Sequence, residues 1–319
     1  MENRLIVILG PTASGKTRLA VRLAAQLGGE VLSADSRQVY RGMDIGTGKD
    51  LADYRFEGKE IPYHLIDIVD AGERYNVYRY VLDFWKAYKD VRARGLVPIL
   101  CGGSGMYIEA VCRGYEMPEV PENRELRQEC EGVTQEELIK RLASYGPLHN
   151  TTDTQSRKRL IRAIEIAEYR NDDGRDDDGI GRGNDRGDGR GKSFFAPTDP
   201  YIIGLYIPVE ERRTRIDRRL DERLQSGMVE EALRLMKQGL TVEDMMYYGL
   251  EYKYLALYLT GALSFEEMRG QLRVAIHQFA KRQMTWFRGM ERRGLAVRWV
   301  DAMVGETEIV KQLSNDMIL

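Results

Sequence analysis

The sequence predicts an α/β fold built on a parallel sheet. Short apolar runs alternate with amphipathic helical stretches, a glycine-rich turn joins the first such run to the first such stretch, and polar helical segments in mid-chain interrupt the alternation. Leu5 to Leu9 is the first strand candidate; it ends at Gly10 and is followed by a helical pattern from Lys16 to Leu27. Glu30 to Ala34, Tyr63 to Val69 and Val97 to Cys101 are further candidate strands, with an amphipathic helix at Tyr75 to Arg94 between the last two. Strands that alternate with helices are joined by crossover connections, which is how parallel neighbours arise. From Pro118 to about Glu168 the pattern turns helical and polar, with the capping-box start Thr134-x-x-Glu137. Asn171 to Lys192 is almost wholly Gly, Asp and Arg, and its lack of apolar side chains to offset the entropy of ordering predicts a flexible loop. A strand resumes at Tyr201 to Ile207, and the remainder reads as helical up to a short strand near Ala296 to Val300. The expected organisation is therefore a discontinuous core, residues 1–117 and 196–319, interrupted by a helical insertion at 118–195.

With 319 residues, 43% of them hydrophobic, the chain can bury a sizeable core. No apolar run approaches the roughly 20 residues that span a bilayer, and Met1 to Arg4 lacks the order of a secretory signal, so a cytoplasmic protein without membrane association is expected. The three cysteines, Cys101, Cys112 and Cys130, are odd in number and form no CxxC pair, which points to free thiols. The net charge of −2 hides a strong asymmetry: seven aspartates lie within Asn171 to Lys192, while basic residues bunch at Arg157 to Arg162, Arg212 to Arg223 and Lys281 to Arg293. A basic face able to meet a phosphate backbone is compatible with that total; solvated helix faces carrying i,i+4 ion pairs are the alternative.

Gly10-Pro11-Thr12-Ala13-Ser14-Gly15-Lys16-Thr17 fits GxxxxGK[ST] in the required strand, loop and helix setting. Glycines let backbone N–H groups converge on phosphate oxygens, the helix N-terminus adds its dipole, Lys16 adds a charge and Thr17 offers a hydroxyl to Mg²⁺. This predicts a P-loop NTPase-like core that binds a diphosphate or triphosphate, without deciding that phosphoryl groups are transferred. A motor ATPase or GTPase would carry an Mg²⁺-binding carboxylate at the end of a second strand. Val97 to Cys101 ends instead in Gly102-Gly103-Ser104-Gly105, and the carboxylate at a strand end near the loop is Asp35. Asp35 is either a functional acid or base, a helix N-cap, or a group near the metal.

The blocks GPTASGKT, SADSRQVYRGMDIGTGK, HLIDIVD, VPILCGGSGMYIEA, RLIRAIEI, RIDRRLDERLQSG and AKRQMTWFRG occur in the order and spacing of tRNA dimethylallyltransferases, and the resemblance spans nearly the whole chain. It implies transfer of a dimethylallyl group from dimethylallyl diphosphate to N6 of the adenine just 3′ of the tRNA anticodon, with Mg²⁺ as cofactor, the tRNA anticodon stem-loop as partner, and a monomer. By the same resemblance the loop from Gly10 to Thr17 cradles the diphosphate, Asp35 accepts the amine proton, Ser104 keeps a hydroxyl near the reacting groups where threonine is common, and Arg219 contacts the diphosphate. Asp35, Ser36, Arg37 and Gln38 are expected around the flipped adenine, and Arg127, Lys158, Arg159, Leu160, Ile161 and Arg162 at the tRNA. The chain departs from the pattern at Tyr248-Gly249-Leu250-Glu251-Tyr252, where the family has Gly-Tyr followed by Lys or Arg, and Glu251 puts the RNA contact there in doubt. Trp85, Trp286 and Phe287 read as core, and His64, His149 and His277 lack ligand spacing. Three other functions remain to be weighed: a small-molecule P-loop kinase, an isopentenyltransferase acting on free AMP, and an RNA-binding regulator without catalysis.

Overall fold

The computed structural model describes residues 5–115, 120–146, 154, 156–172 and 200–317. These cluster into two compact units, Met1–Gly114 with Phe195–Leu319, and Tyr115–Phe194.

The larger unit is organised by strands β1 (Ile6–Leu9), β2 (Gly29–Ala34), β5 (Tyr63–His64), β6 (Val97–Gly102), β7 (Tyr201–Tyr206) and β8 (Val297–Asp301), in spatial order β5-β2-β6-β1-β7-β8. Every pairing in this sheet is parallel, with Ile6 opposite Ile99 on one side of β1 and Tyr201 on the other. β1 and β2 are buried along their whole length, which explains the unbroken apolar run of β1; in β2 the buried Glu30 is offset by its pairing with Arg94 and His64. A small antiparallel hairpin, β3 (Arg55–Phe56) with β4 (Lys59–Glu60), lies apart from this sheet. Helix α1 (Lys16–Leu27) buries Leu19, Ala20, Val21, Leu23 and Ala24 in a cluster that includes Ile6, Ile8, Val31 and Ile99 of the sheet. Each buried leucine or valine among them contributes about 1.5–3 kcal/mol by leaving water. α2 (Val77–Ala93) starts at Asn76, whose side chain accepts the Arg79 N–H, and packs with α3 (Gly105–Arg113).

The candidate strand at Tyr63 to Val69 is shorter than expected. Leu65 and Asp67 adopt positive φ values of 65° and 55°, which break the extended backbone, so only Tyr63–His64 pairs with β2 and Val69 returns as a single bridge to Tyr40. The C-terminal part is helical as read: α7 (Val209–Gln225), α8 (Met228–Lys237), α9 (Val242–Tyr247), α10 (Leu250–Leu259) and the long α11 (Phe265–Arg292). A last helix, α12 (Glu306–Met317), follows β8 and packs on α1; it had no counterpart in the sequence reading. Trp85 and Phe287 are buried, but Trp286 is 38% exposed with its ring against Gly105, so it is a surface residue of α11 and not core. Cys101, Cys112 and Cys130 are free and buried. Among the described residues no helix is long and apolar enough to cross a membrane.

The smaller unit consists of α4 (Arg124–Glu131), α5 (Gln135–Ser144) and α6 (Arg157–Asp172) around Leu126, Cys130, Leu138, Leu160 and Ile164. The Thr134 capping box forms as the sequence indicates, with Thr134 and Glu137 satisfying each other's backbone N–H. α6 runs through Asn171 and Asp172, so the expected loop starts later than read; its residues 173–192 lie outside the described residues.

Candidate active site

The turn from β1 into α1 brings the phosphate-loop motif to the C-terminal edge of the parallel sheet, where crossovers of this kind leave a crevice. Gly15 caps α1 with φ 84°, a left-handed conformation that a side chain would resist, and this turn points the first helical N–H groups toward the crevice. Within the loop Pro11 and Ser14 are buried, and Ser14 Oγ has no hydrogen-bond partner among the described residues. Gln283 of α11 ties the loop down: its Oε1 accepts the Thr12 N–H at 2.9 Å, and its Nε2 donates to Gly103 O at 2.9 Å. No local signal marks this bridge, because Gln283 sits 271 residues from Thr12.

A cavity of about 370 Å³ opens over the loop. Thr12, Lys16 and Thr17 line it from the loop, Asp35, Ser36, Arg37 and Gln38 from the end of β2, Ser104 from the end of β6 and Arg219 from α7. One site thus gathers residues from Thr12 to Arg219 that the sequence reading had linked only by resemblance. Asp35 is not a helix cap, since a turn follows it; its Oδ1 accepts the Arg37 N–H at 2.9 Å. Ser104 Oγ accepts the Ser36 N–H at 2.9 Å and Ser104 N–H donates to Ala34 O at 3.0 Å, which holds β6 and the Asp35 turn together. Gln38 takes the Ser33 hydroxyl at 3.1 Å and donates to Gly48 O at 3.0 Å.

Lys16 keeps some solvent access but lies deep enough that desolvation pushes its ammonium below the usual lysine range; the Asp35 carboxylate opposes that shift, and Arg219 and Arg223 add to it. Burial pushes the Cys101 thiol up to about 12, so it forms a neutral wall.

Gly46, Thr47 and Gly48 line the cavity from a loop held by two buried charges that the sequence did not single out. The Glu231 carboxylate accepts the N–H groups of Asp44, Ile45 and Gly46 at 2.9 Å each and the Tyr252 hydroxyl at 2.7 Å. Lys49 Nζ, 1% exposed, donates to Tyr40 O at 2.7 Å and pairs with Asp44 at 2.6 Å and with Asp67. Further lining residues come from Met246 to Lys253 and from Phe279, Arg282 and Gln283, so the Tyr248-Gly249-Leu250-Glu251 departure faces the cavity.

The chain matches the family model described as IPP transferase over residues 38–290. The chain belongs to the IPP transferase family. A second family model, Isopentenyl transferase, matches residues 3–64. A protein of Parabacteroides distasonis named tRNA dimethylallyltransferase 1 is 55% identical over 304 residues, covering 95% of this chain and 94% of that protein. A protein of the same name from Porphyromonas gingivalis is 54% identical over 304 residues, covering 95% and 96%. The crystal structure of a tRNA isopentenylpyrophosphate transferase from Bacillus halodurans matches at 30% identity and a TM-score of 0.69, covering 99% of this chain and 96% of that one. The family resemblance and the P-loop NTPase-like fold read from the sequence are thereby borne out.

The basic clusters resolve differently from one another. On α7, Arg213, Arg215 and Arg218 pair with Glu210, Glu211 and Glu222 along the helix, the alternative noted for them, while Arg219 and Arg223 turn to the cavity. In the smaller unit, Lys158 and Arg159 are exposed. Leu160 is fully buried in that unit's core and Ile161 packs against it, so the expected tRNA contact is corrected for the Leu160 side chain, which has no surface to offer. Arg127 is held by the buried Glu165 through Nε at 2.7 Å and Nη2 at 3.1 Å and also pairs with Glu122; Arg162 bonds Glu165 at 2.8 Å and Val120 O at 2.7 Å. Burial alone would raise the Glu165 carboxyl, but these two guanidinium groups and the Asn123 N–H hold it below its usual range. His64 and His277 pair with Glu30 and Asp217, and His149 lies outside the described residues.

Proposed function

We propose that this protein transfers a dimethylallyl group from dimethylallyl diphosphate to N6 of the adenosine just 3′ of the anticodon in tRNA, releasing diphosphate. The observation that carries this reading is the meeting of the phosphate loop and the Asp35 carboxylate in one cavity. The adenine amine is a weak nucleophile because its lone pair is delocalised into the ring. As N6 bonds to the allylic carbon, the carbon–oxygen bond to the diphosphate breaks and the amine loses a proton. Asp35 accepts that proton; its Oδ1 is occupied by the Arg37 N–H, which leaves the second oxygen for it. Charge developing on the leaving diphosphate falls to Lys16, Arg219 and the loop N–H groups from Gly10 to Thr17, with Ser104 placing its hydroxyl beside the reacting groups. The adenine must leave its stack to arrive, and Ser36, Arg37 and Gln38 line the space for it.

Among the described residues no group of three or more His, Cys, Asp or Glu could hold a metal ion, so a divalent cation here would depend on oxygens of the substrate. The hydroxyl of Thr17 and the carboxylate of Asp35 in the same cavity fit Mg²⁺, which takes oxygen ligands and commonly shares them with phosphates. Thr17 would hold it, and the ion would neutralise charge on the diphosphate.

Incubation with dimethylallyl diphosphate, Mg²⁺ and either tRNA or AMP tests the reading. Isopentenyladenosine is expected in the digested tRNA; product from AMP alone, or phosphoryl transfer from ATP, would replace it with another function. Lys158 and Arg159 are exposed cations of α6, whereas Arg127 and Arg162 also serve Glu165. Reversing Lys158 and Arg159 to Glu is therefore expected to raise the KM for tRNA and flatten its salt dependence without altering diphosphate affinity. An unchanged salt slope would remove these two residues from the RNA contact.

A further inference from the structure

Arg219 and Arg223 stand four residues apart on α7, on one face, and both reach the cavity. Both converge on a single oxygen, Asp50 Oδ2: Arg219 Nη2 bonds it, and Arg223 Nη2 lies 3.5 Å from it. The bond to Arg223 is long, and it is the only hydrogen bond Arg223 makes among the described residues. Its side chain is only 16% exposed, and its Nε is buried with no hydrogen-bond partner among the described residues. A guanidinium carries five donors, and leaving most of them unmet in a buried place is costly. Such a group is set for a larger anion than the one it has.

Two neighbours bear this out. Gly48 has φ 64°, and a Cβ there would lie 1.6 Å from Arg223 Nη2, so the guanidinium rests against bare backbone. Glu251 lines the cavity without a hydrogen bond or ion pair to Arg223 among the described residues, and its own carboxyl is raised, chiefly by burial, despite the arginine; it is a poor permanent counter-ion. Asp50, by contrast, can be given up. It stands at φ 43° before the short 3-10 turn Leu51–Tyr54, makes no side-chain cap bond there, and leaves its side chain 43% exposed.

The geometry points to Arg223 as a second diphosphate-binding arginine beside Arg219, with the Asp50 carboxylate as an internal stand-in for the anion that the arriving diphosphate displaces. This rests on the reading of the cavity as a diphosphate site. Asp50 keeps the arginines aimed and partly neutralised while the site is free, and its release exposes both guanidinium groups to the phosphate oxygens.

Calorimetric titration with inorganic diphosphate and Mg²⁺ tests it. Arg223→Met is expected to weaken diphosphate binding about 10- to 100-fold, the worth of a charge-assisted hydrogen bond. Asp50→Asn, which removes the competing charge, is expected to tighten it about 2- to 5-fold, the scale of a half-exposed ion pair. In the double variant the Asp50 effect should shrink but not vanish, since one of the two arginines it competes for is gone and Arg219 remains. Should Arg223→Met fail to fold, Arg223→Lys, which keeps the charge and loses the fork, takes its place with weaker binding again expected. Wild-type affinity in the Arg223 variant, or unchanged or weaker binding in Asp50→Asn, overturns the proposal. Lys16→Ala separates this from failure of the underlying reading: if Lys16→Ala binds diphosphate normally, the cavity is not the diphosphate site, whereas if it weakens binding and Arg223→Met does not, only the role of Arg223 falls.

Discussion

Asp35→Asn is expected to slow dimethylallyl transfer about 10²- to 10⁴-fold while tRNA and diphosphate still bind. The substitution keeps the shape of the side chain, and its amide oxygen can still accept the Arg37 N–H, so the turn between β2 and the Ser36 to Gln38 segment should persist. What it loses is the ability to take a proton. If Asp35 instead acts mainly by holding Mg²⁺, the loss should appear as weaker metal and diphosphate binding and should recover in part at high Mg²⁺. Single-turnover rates at saturating substrates, with affinities measured in parallel, distinguish the two. Full activity in the variant would end the mechanism while leaving the family membership untouched.

Lys16→Ala should lower kcat/KM about 10²- to 10³-fold, the scale of removing one preorganised donor from a developing oxyanion. Diphosphate affinity and transfer rate should fall together, because Lys16 meets negative charge in both the substrate and the leaving group. Desolvation holds the Lys16 ammonium below the usual lysine range in the free protein. A group of that kind loses its proton earlier as pH rises, so diphosphate binding should weaken on the alkaline side before an ordinary lysine would titrate, and Lys16→Ala should remove that limb. Wild-type kinetics in the variant would take the loop out of the reaction.

Much of this protein was legible in the chain because its signals are local. A strand buried on both faces is drawn largely from apolar residues, so Ile6–Leu9 announces itself and Val31 and Leu32 mark the centre of Gly29–Ala34, whose buried Glu30 needs its partners His64 and Arg94; a helix on the sheet must carry apolar residues at helical spacing, as Lys16–Leu27 does. The phosphate loop is a short contiguous segment whose chemistry needs its own glycines and lysine, and the capping box at Thr134 needs only residues three apart. The resemblance supplied what locality could not, the naming of Asp35, Ser104 and Arg219 as one site.

Tertiary structure alone decided which charges face the cavity and which serve the fold. α7 presents arginines all along its sequence, yet only its packing shows that Arg213, Arg215 and Arg218 pair along the helix while Arg219 and Arg223 turn inward. Leu160 lies in the same basic stretch as Lys158 and Arg159 but points into a core, a difference of helical phase that composition does not carry. Glu231, Lys49 and Gln283 read as ordinary polar residues until distant backbone groups arrive beside them, since a buried polar atom is defined by the partners that satisfy it. Local signals placed most of the sheet strands, the first helices and the phosphate loop, but not the short β3–β4 hairpin, the early end of β5 or the last helix α12; the partners of each buried charge were settled only when residues far apart in the chain were packed out of water, where an unpaired charge is too costly to leave.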